Sequence, residues 1–189
     1  MGFKMKEFLR PRGLIFISSL VLILLAGGLS YGAPGAASFS LTLDGKEFTP
    51  NDQINFTLAL KNIGKAPIYV NKRFYVSSEE ATANQKDVYL MVTAPSGAKL
   101  PCTYSYETGY PKTDYFQLLE PGAEVKSENP RNLKAFFNLE EMGTYKVVAV
   151  YQNVFGSEIG LDVFKEKLVS ETVTFTIAKP EEKKDGEKK

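Results

Sequence analysis

Four kinds of side chain in this sequence could do chemistry, and each meets a limit. The acidic pairs Glu79-Glu80 and Glu140-Glu141 offer the oxygen donors that Ca²⁺ takes. No Asp-x-Asp-type spacing accompanies them, so they read as solvated loop charge. Cys102 is the single cysteine. It allows no internal disulfide and reads as a small buried apolar residue, with an intermolecular bridge or a redox thiol as the sharper reading. Asn55-Phe56-Thr57 fits the N-glycosylation pattern, but Asn55 falls inside an alternating strand. The tyrosines gather most densely. Tyr104, Tyr106, Tyr110 and Tyr115, with Phe116, stand among Gly109, Pro111 and small polar residues. Tyr joins a large, rigid contact area to a polar tip, which suits a partner-binding loop and equally suits packing over a sheet edge. The stretch Lys72-Arg73-Phe74-Tyr75 is a weaker second patch.

What is missing narrows the chemistry further. There is no His, so the commonest general base and metal ligand is absent. Ser–His and Cys–His nucleophile pairs cannot be built. Zinc and copper sites lose their usual nitrogen donor. An enzyme would need paired carboxylates, Lys or Tyr in a cleft, and no spacing nominates a pair. The expectation is a protein with no catalytic residue, no metal site and no cofactor.

The first 37 residues set the compartment. Lys4, Lys6, Arg10 and Arg12 form a basic head, and an apolar run from Leu14 to Leu29 follows. Small residues then make two small-x-small sites, Ser30-Tyr31-Gly32 and Gly35-Ala36-Ala37. That order reads as a secretory signal peptide. The alternative is an uncleaved anchor. At about 1.5 Å per residue the apolar run reaches about 24 Å, short of the roughly 30 Å of a bilayer core. The membrane would then be met only through residues 14–29. Without a Cys after the run, a lipoprotein is excluded. The expected locale is periplasmic or extracellular.

Residues 1–37 carry four basic side chains and one acidic one, and the whole chain has 23 and 22. The remainder therefore has a net charge of −2, which excludes the basic footprint of a nucleic-acid binder. Residues 179–189 have five Lys, four acids and no apolar side chain, and read as a disordered charged tail.

These residues need elements to hold them, and between 38 and 178 the pattern is β. Phe39, Leu41 and Leu43 alternate with polar neighbours, as do Ile54, Phe56, Leu58 and Leu60. Strands are expected from Ile68 to about Phe74, over Val88, Leu90 and Val92, and at Phe116–Leu118. Leu133, Ala135 and Phe137 alternate again, and residues 143–151 and 173–177 read as strong strands. Residues 161–168 could make two helical turns. Turn signals such as Asp44-Gly45, Pro95-Ser96-Gly97 and Pro121-Gly122 separate the strands. About nine strands with period-2 alternation predict one all-β domain, an antiparallel β-sandwich over residues 38–178.

Gly143-Thr144-Tyr145-Lys146-Val147-Val148-Ala149-Val150-Tyr151 resembles strand F of immunoglobulin-like domains. Phe56 to Gly64 with Pro67, Leu118 to Gly122, and Phe164 to Ser170 leading into Val173–Ile177 resemble exported bacterial Ig-like domains. The resemblance implies an Ig-like sandwich in which Tyr145 is a tyrosine corner, its phenol bonding a backbone group near residues 139–142. Val147 takes the place of the second Cys of the inter-sheet disulfide, and no Cys stands in the strand 54–60, so packing alone must hold the sheets. The functional expectation is a non-enzymatic exported module that binds a protein partner or cell-envelope component. The alternatives are an exported Ig-like protease inhibitor and a membrane-anchored structural or assembly protein.

Overall fold

The computed structural model describes residues 35–104, 109 and 111–180. Residues 1–34 and 181–189, and with them most of the expected signal segment and tail, lie outside the described residues.

The chain is all-β, with 3-10 turns and no α-helix among the described residues. In order the strands are β1 (Ala37–Leu43), β2 (Glu47–Phe48), β3 (Asn55–Asn62), β4 (Ile68–Asn71) and β5 (Val76–Ser77). Next come β6 (Val88–Thr93), β7 (Lys99–Leu100), β8 (Phe116–Leu119), β9 (Glu124–Lys126) and β10 (Arg131–Asn132). The last are β11 (Gly143–Tyr151), β12 (Leu168–Val169) and β13 (Val173–Ile177).

Alternation decides the faces. In β1, Ala37, Phe39 and Leu41 are buried while Ser38, Ser40 and Thr42 are exposed. β1 pairs antiparallel with β3 over its whole length, from Ala37 opposite Asn62 to Leu43 opposite Phe56. The other edge of β3 carries β9 and β10 end to end, both antiparallel. Ser127 bridges the break: its N–H donates to Leu58 O at 2.9 Å and its hydroxyl accepts from Leu58 N at 3.2 Å.

The second sheet is built on β11. β6 lies antiparallel on one side, and β13 and β12 share the other. β2 adds to the outer edge of β13 in parallel, so this sheet is mixed. β5, parallel, and β7, antiparallel, divide the outer edge of β6. β4 and β8 form a separate antiparallel ribbon.

Apolar side chains from both sheets merge in one core: Phe39, Leu58 and Leu60 from the first, Leu90, Val147 and Phe175 from the second. Burying each such side chain contributes about 1.5–3 kcal/mol. A satellite cluster of Phe116, Phe155 and Val163 sits apart from it.

Three segments differ from the strand expectations. The stretch 133–137 is a 3-10 turn, Leu133–Ala135, not a strand. The buried residues are Leu133, Phe136 and Phe137, a helical spacing that the apparent period-2 alternation concealed. Asn132 starts the turn, its Oδ1 accepting from Lys134 N at 3.1 Å and Ile54 N at 3.2 Å. The third expected strand stops at Asn71; residues 72–75 belong to no strand, and Phe74 takes a positive φ. Residues 161–168 form no helix; Val163 instead makes an isolated bridge to Tyr69.

Candidate functional site

The segment between β4 and β5 builds the site. Phe74 adopts φ 50°, a left-handed conformation that costs a non-glycine residue on the order of 1–2 kcal/mol. Its ring compensates by burial in the core, stacked on Phe39 at 6.2 Å and edge-on to Tyr151 at 6.2 Å. With Phe74 pinned inward, the residues on either side are held against Asp87, which immediately precedes β6.

Asp87 is fully buried. Its carboxylate accepts from Arg73 Nε at 2.7 Å, Arg73 Nη2 at 2.9 Å, Asn71 Nδ2 at 2.9 Å and Tyr75 N at 3.0 Å. A buried carboxylate is tolerable only when it is paired and hydrogen-bonded in this way. Asn71 extends the node: its Nδ2 also reaches Asn153 Oδ1 at 3.3 Å, and its backbone N–H and C=O both meet Tyr151 Oη at 3.2 Å. Burial pushes the Tyr151 phenol far above its ordinary value, with the charge of Asp87 adding to the effect.

Arg73 is the outer face of this node. Its Nη1 donates to Gly109 O at 2.8 Å. Its guanidinium lies over Tyr75 at 4.6 Å, with Phe155 at 5.5 Å and Tyr115 at 5.7 Å, within cation–π range. Arg131, on β10, approaches from the other sheet and donates Nη1 to Phe74 O at 2.5 Å. Burial lowers the Arg131 pKa against the opposing pull of Asp87, yet a guanidinium stays charged.

Over this base opens a cleft of about 230 Å³. Its basic residues are Lys72, Arg73 and Arg131, its aromatic walls Tyr75 and Tyr115, and Glu128 and Asn129 complete the rim. A second cleft of about 220 Å³ shares Tyr75 and Arg131 and adds Val76, Tyr104 and Phe136.

The structure thus joins the two patches that looked separate in sequence. Tyr115 forms a wall, and its carbonyl accepts from Lys72 N at 2.8 Å. Tyr104 is exposed and meets Phe136 at 5.1 Å. Phe116 turns inward and is buried with Phe155 and Val163, so it packs. Tyr106 and Tyr110 lie outside the described residues. Tyr145 is distant in sequence from all of these, and its phenol donates to Glu141 O at 2.8 Å, inside the stretch 139–142.

Asp87, Arg131 and Asn153 were missed as site residues. No motif or spacing nominates them, and their convergence comes only from strand pairing.

The other sequence candidates are occupied by their own chain. Glu79 pairs with Lys99, and its carbonyl accepts from Lys86 Nζ. Glu141 accepts from Ser96 N at 3.0 Å and Ser96 Oγ at 2.9 Å. Asn55 Nδ2 donates to Asp44 Oδ2 at 2.8 Å. Cys102 is partly rather than fully buried, and burial pushes its thiol up. Among the described residues, no group of three or more His, Cys, Asp or Glu could hold a metal ion. No family model matches the chain, and no curated protein matches it.

Proposed function

We propose that this chain is an exported, non-enzymatic immunoglobulin-like module that binds a protein partner through the cleft between the β4–β5 segment and β10. The observation that carries the binding reading is the rigid base of that cleft. A fully buried Asp87 fixes Arg73 through two side-chain bonds, and Arg73 in turn seats three aromatic rings. Preorganised aromatic and arginine side chains are what binding surfaces concentrate. The one carboxylate at the base is sealed by four donors, which suits it to position groups rather than to exchange protons.

The immunoglobulin-like part of the reading draws on topology. β1 with β3 and β9–β10 corresponds to strands A, B and E; β2, β13, β11 and β6 correspond to A′, G, F and C. In this correspondence the Tyr145 bond to Glu141 O serves as the tyrosine corner. Val147 and Leu58, both fully buried in the one core, stand on the two strands that carry the inter-sheet disulfide in antibody-type immunoglobulin domains.

Export is supported by the leader's composition, and contacts at the start of β1 favour the earlier of its two cutting sites. Ala36 O accepts from Ile63 N at 2.9 Å and Gly64 N at 3.0 Å, and Ala37 is the first buried residue of β1. Cleavage after Gly32 preserves these contacts, whereas cleavage after Ala37 removes them. Among the described residues, no helix is long and apolar enough to cross a membrane.

The test is capture from a native envelope fraction, comparing the wild type with a Lys72→Gln, Tyr115→Ala double variant. The expected result is loss of specific partners by the variant at an unchanged fold. Retention of every partner overturns the cleft as the binding surface.

A further inference from the structure

The chain has four arginines against nineteen lysines: Arg10, Arg12, Arg73 and Arg131. Two belong to the basic head of the leader. The other two both line one cleft, while every other cation of residues 38–189 is a lysine. Arg differs from Lys in presenting a rigid, planar fork that matches a carboxylate in two parallel hydrogen bonds. Its concentration at one place points to recognition there.

The two guanidiniums are used differently. Arg73 spends its fork on Asp87 and its remaining terminal nitrogen on Gly109 O. Among the described residues, the side chain of Arg131 makes a single hydrogen bond, to Phe74 O. Among the described residues no carboxylate forms an ion pair with it. A guanidinium has five N–H donors, so Arg131 keeps capacity toward the two clefts it borders.

Charge narrows the occupant. Arg73 is neutralised by Asp87. Of the other charged residues lining the first cleft, Lys72 and Arg131 are positive and Glu128 is negative. Among the described residues one net positive charge remains, which matches a monoanion better than a dianionic phosphate. The adjoining cleft is apolar and aromatic, walled by Val76, Tyr104 and Phe136.

We infer that Arg131, with Lys72, receives a carboxylate of a partner peptide, while the adjoining cleft receives an apolar or aromatic side chain next to that carboxylate. The inference rests on the binding reading above and names its ligand class. Carboxylate and ring meet the same wall, because Tyr75 and Arg131 border both clefts.

The test uses the full chain, uniformly ¹⁵N-labelled, with the four arginine Nε–H signals told apart by single Arg→Lys variants. The probes are acetyl-Gly-Glu-Phe-Gly amide, the same peptide with Gln for Glu, and the same peptide with Gly for Phe. The Glu-Phe peptide is expected to shift the Arg131 Nε–H signal and to bind about tenfold or more tighter than the Gln peptide. The Gly-for-Phe peptide is expected to bind more weakly with its shift still at Arg131. Arg131→Lys should abolish most of the Glu-over-Gln preference while keeping the fold. Equal binding of the Glu and Gln peptides, with the Tyr75 and Tyr115 amides moving, overturns the carboxylate inference and leaves the binding reading standing. No shift with any peptide also overturns the inference. The binding reading falls separately, only if the Lys72→Gln, Tyr115→Ala variant keeps every envelope partner.

Discussion

The two ends of β11 carry the same residue on the same face and use it differently. Tyr145 and Tyr151 are six positions apart, so they share a face and lie about 20 Å from each other. Both are fully buried. Tyr145 stacks flat on Phe175, with ring centroids 5.1 Å apart, and bonds Glu141 O four residues upstream. Tyr151 packs against Phe39 and Phe74 and bonds both backbone groups of Asn71, eighty residues away. One tyrosine closes a local corner. The other supports a buried polar node, on which the cleft is built. Packing and one hydrogen bond within the same segment suffice at the first end. At the second, the fold accepts a buried ion pair and a left-handed Phe74, features whose return is position rather than stability.

The largest expected effect comes from attacking that second end at its charge. Asp87→Ala leaves Arg73 buried without its charge partner, removes the Asp87 acceptor of Tyr75 N, and leaves Asn71 Nδ2 only Asn153 Oδ1. Breaking a buried pair this way costs about 3–5 kcal/mol, read as a lowered denaturant midpoint. The paired change Arg73→Met with Asp87→Leu should cost less than Asp87→Ala alone, and should also abolish binding at the cleft. If Asp87→Ala costs under about 1 kcal/mol, the node does not organise this end and the contrast fails.

The next effect compares the tyrosines directly. Tyr151→Phe leaves the N–H and C=O of Asn71 without a partner in a fully buried site, for about 2 kcal/mol. Tyr145→Phe loses one bond, to a carbonyl near the surface, for about 1 kcal/mol. Equilibrium unfolding of both variants ranks them, and the reverse order would show that the corner is the more strained end.

Much of the Tyr145 end was legible in the sequence, because its determinants are local. Gly143-Thr144-Tyr145 opens an alternating run, and the hydrogen-bond partner lies four residues upstream. The long strands β1, β3, β6, β11 and β13 were legible for the same reason: several periods of alternation fix a face. Two-residue strands such as β5 and β10 hold no period, so the expected nine strands became thirteen. The node was illegible because its members come from four separate segments: 71–75, 87, 131 and 151–153. Only the pairing of β5 with β6 and of β10 with β3 brings them together. Among the aromatic residues of 101–116, Tyr115 is a wall of the cleft and Phe116 a packing residue, a difference that residue type alone does not tell.

The smallest effect is also the most discriminating, because it uses pH instead of structure. Burial raises the pKa of both phenols above the ordinary 10.0, and raises Tyr151 further than Tyr145. In the unfolded chain these phenols lose protons near pH 10, while in the folded chain they keep them. The folded state therefore binds more protons in that range, and stability falls as pH rises above about 10. Below that pH the contribution is complete and flat. Tyr151→Phe should flatten this alkaline limb more than Tyr145→Phe, once each variant is referenced to its own stability at pH 8. Unfolding midpoints taken between pH 8 and pH 11 supply the measurement. Equal flattening by the two changes would mean that both ends of β11 are sealed to the same degree, and that the polar node adds no burial to its tyrosine beyond what a packed corner provides.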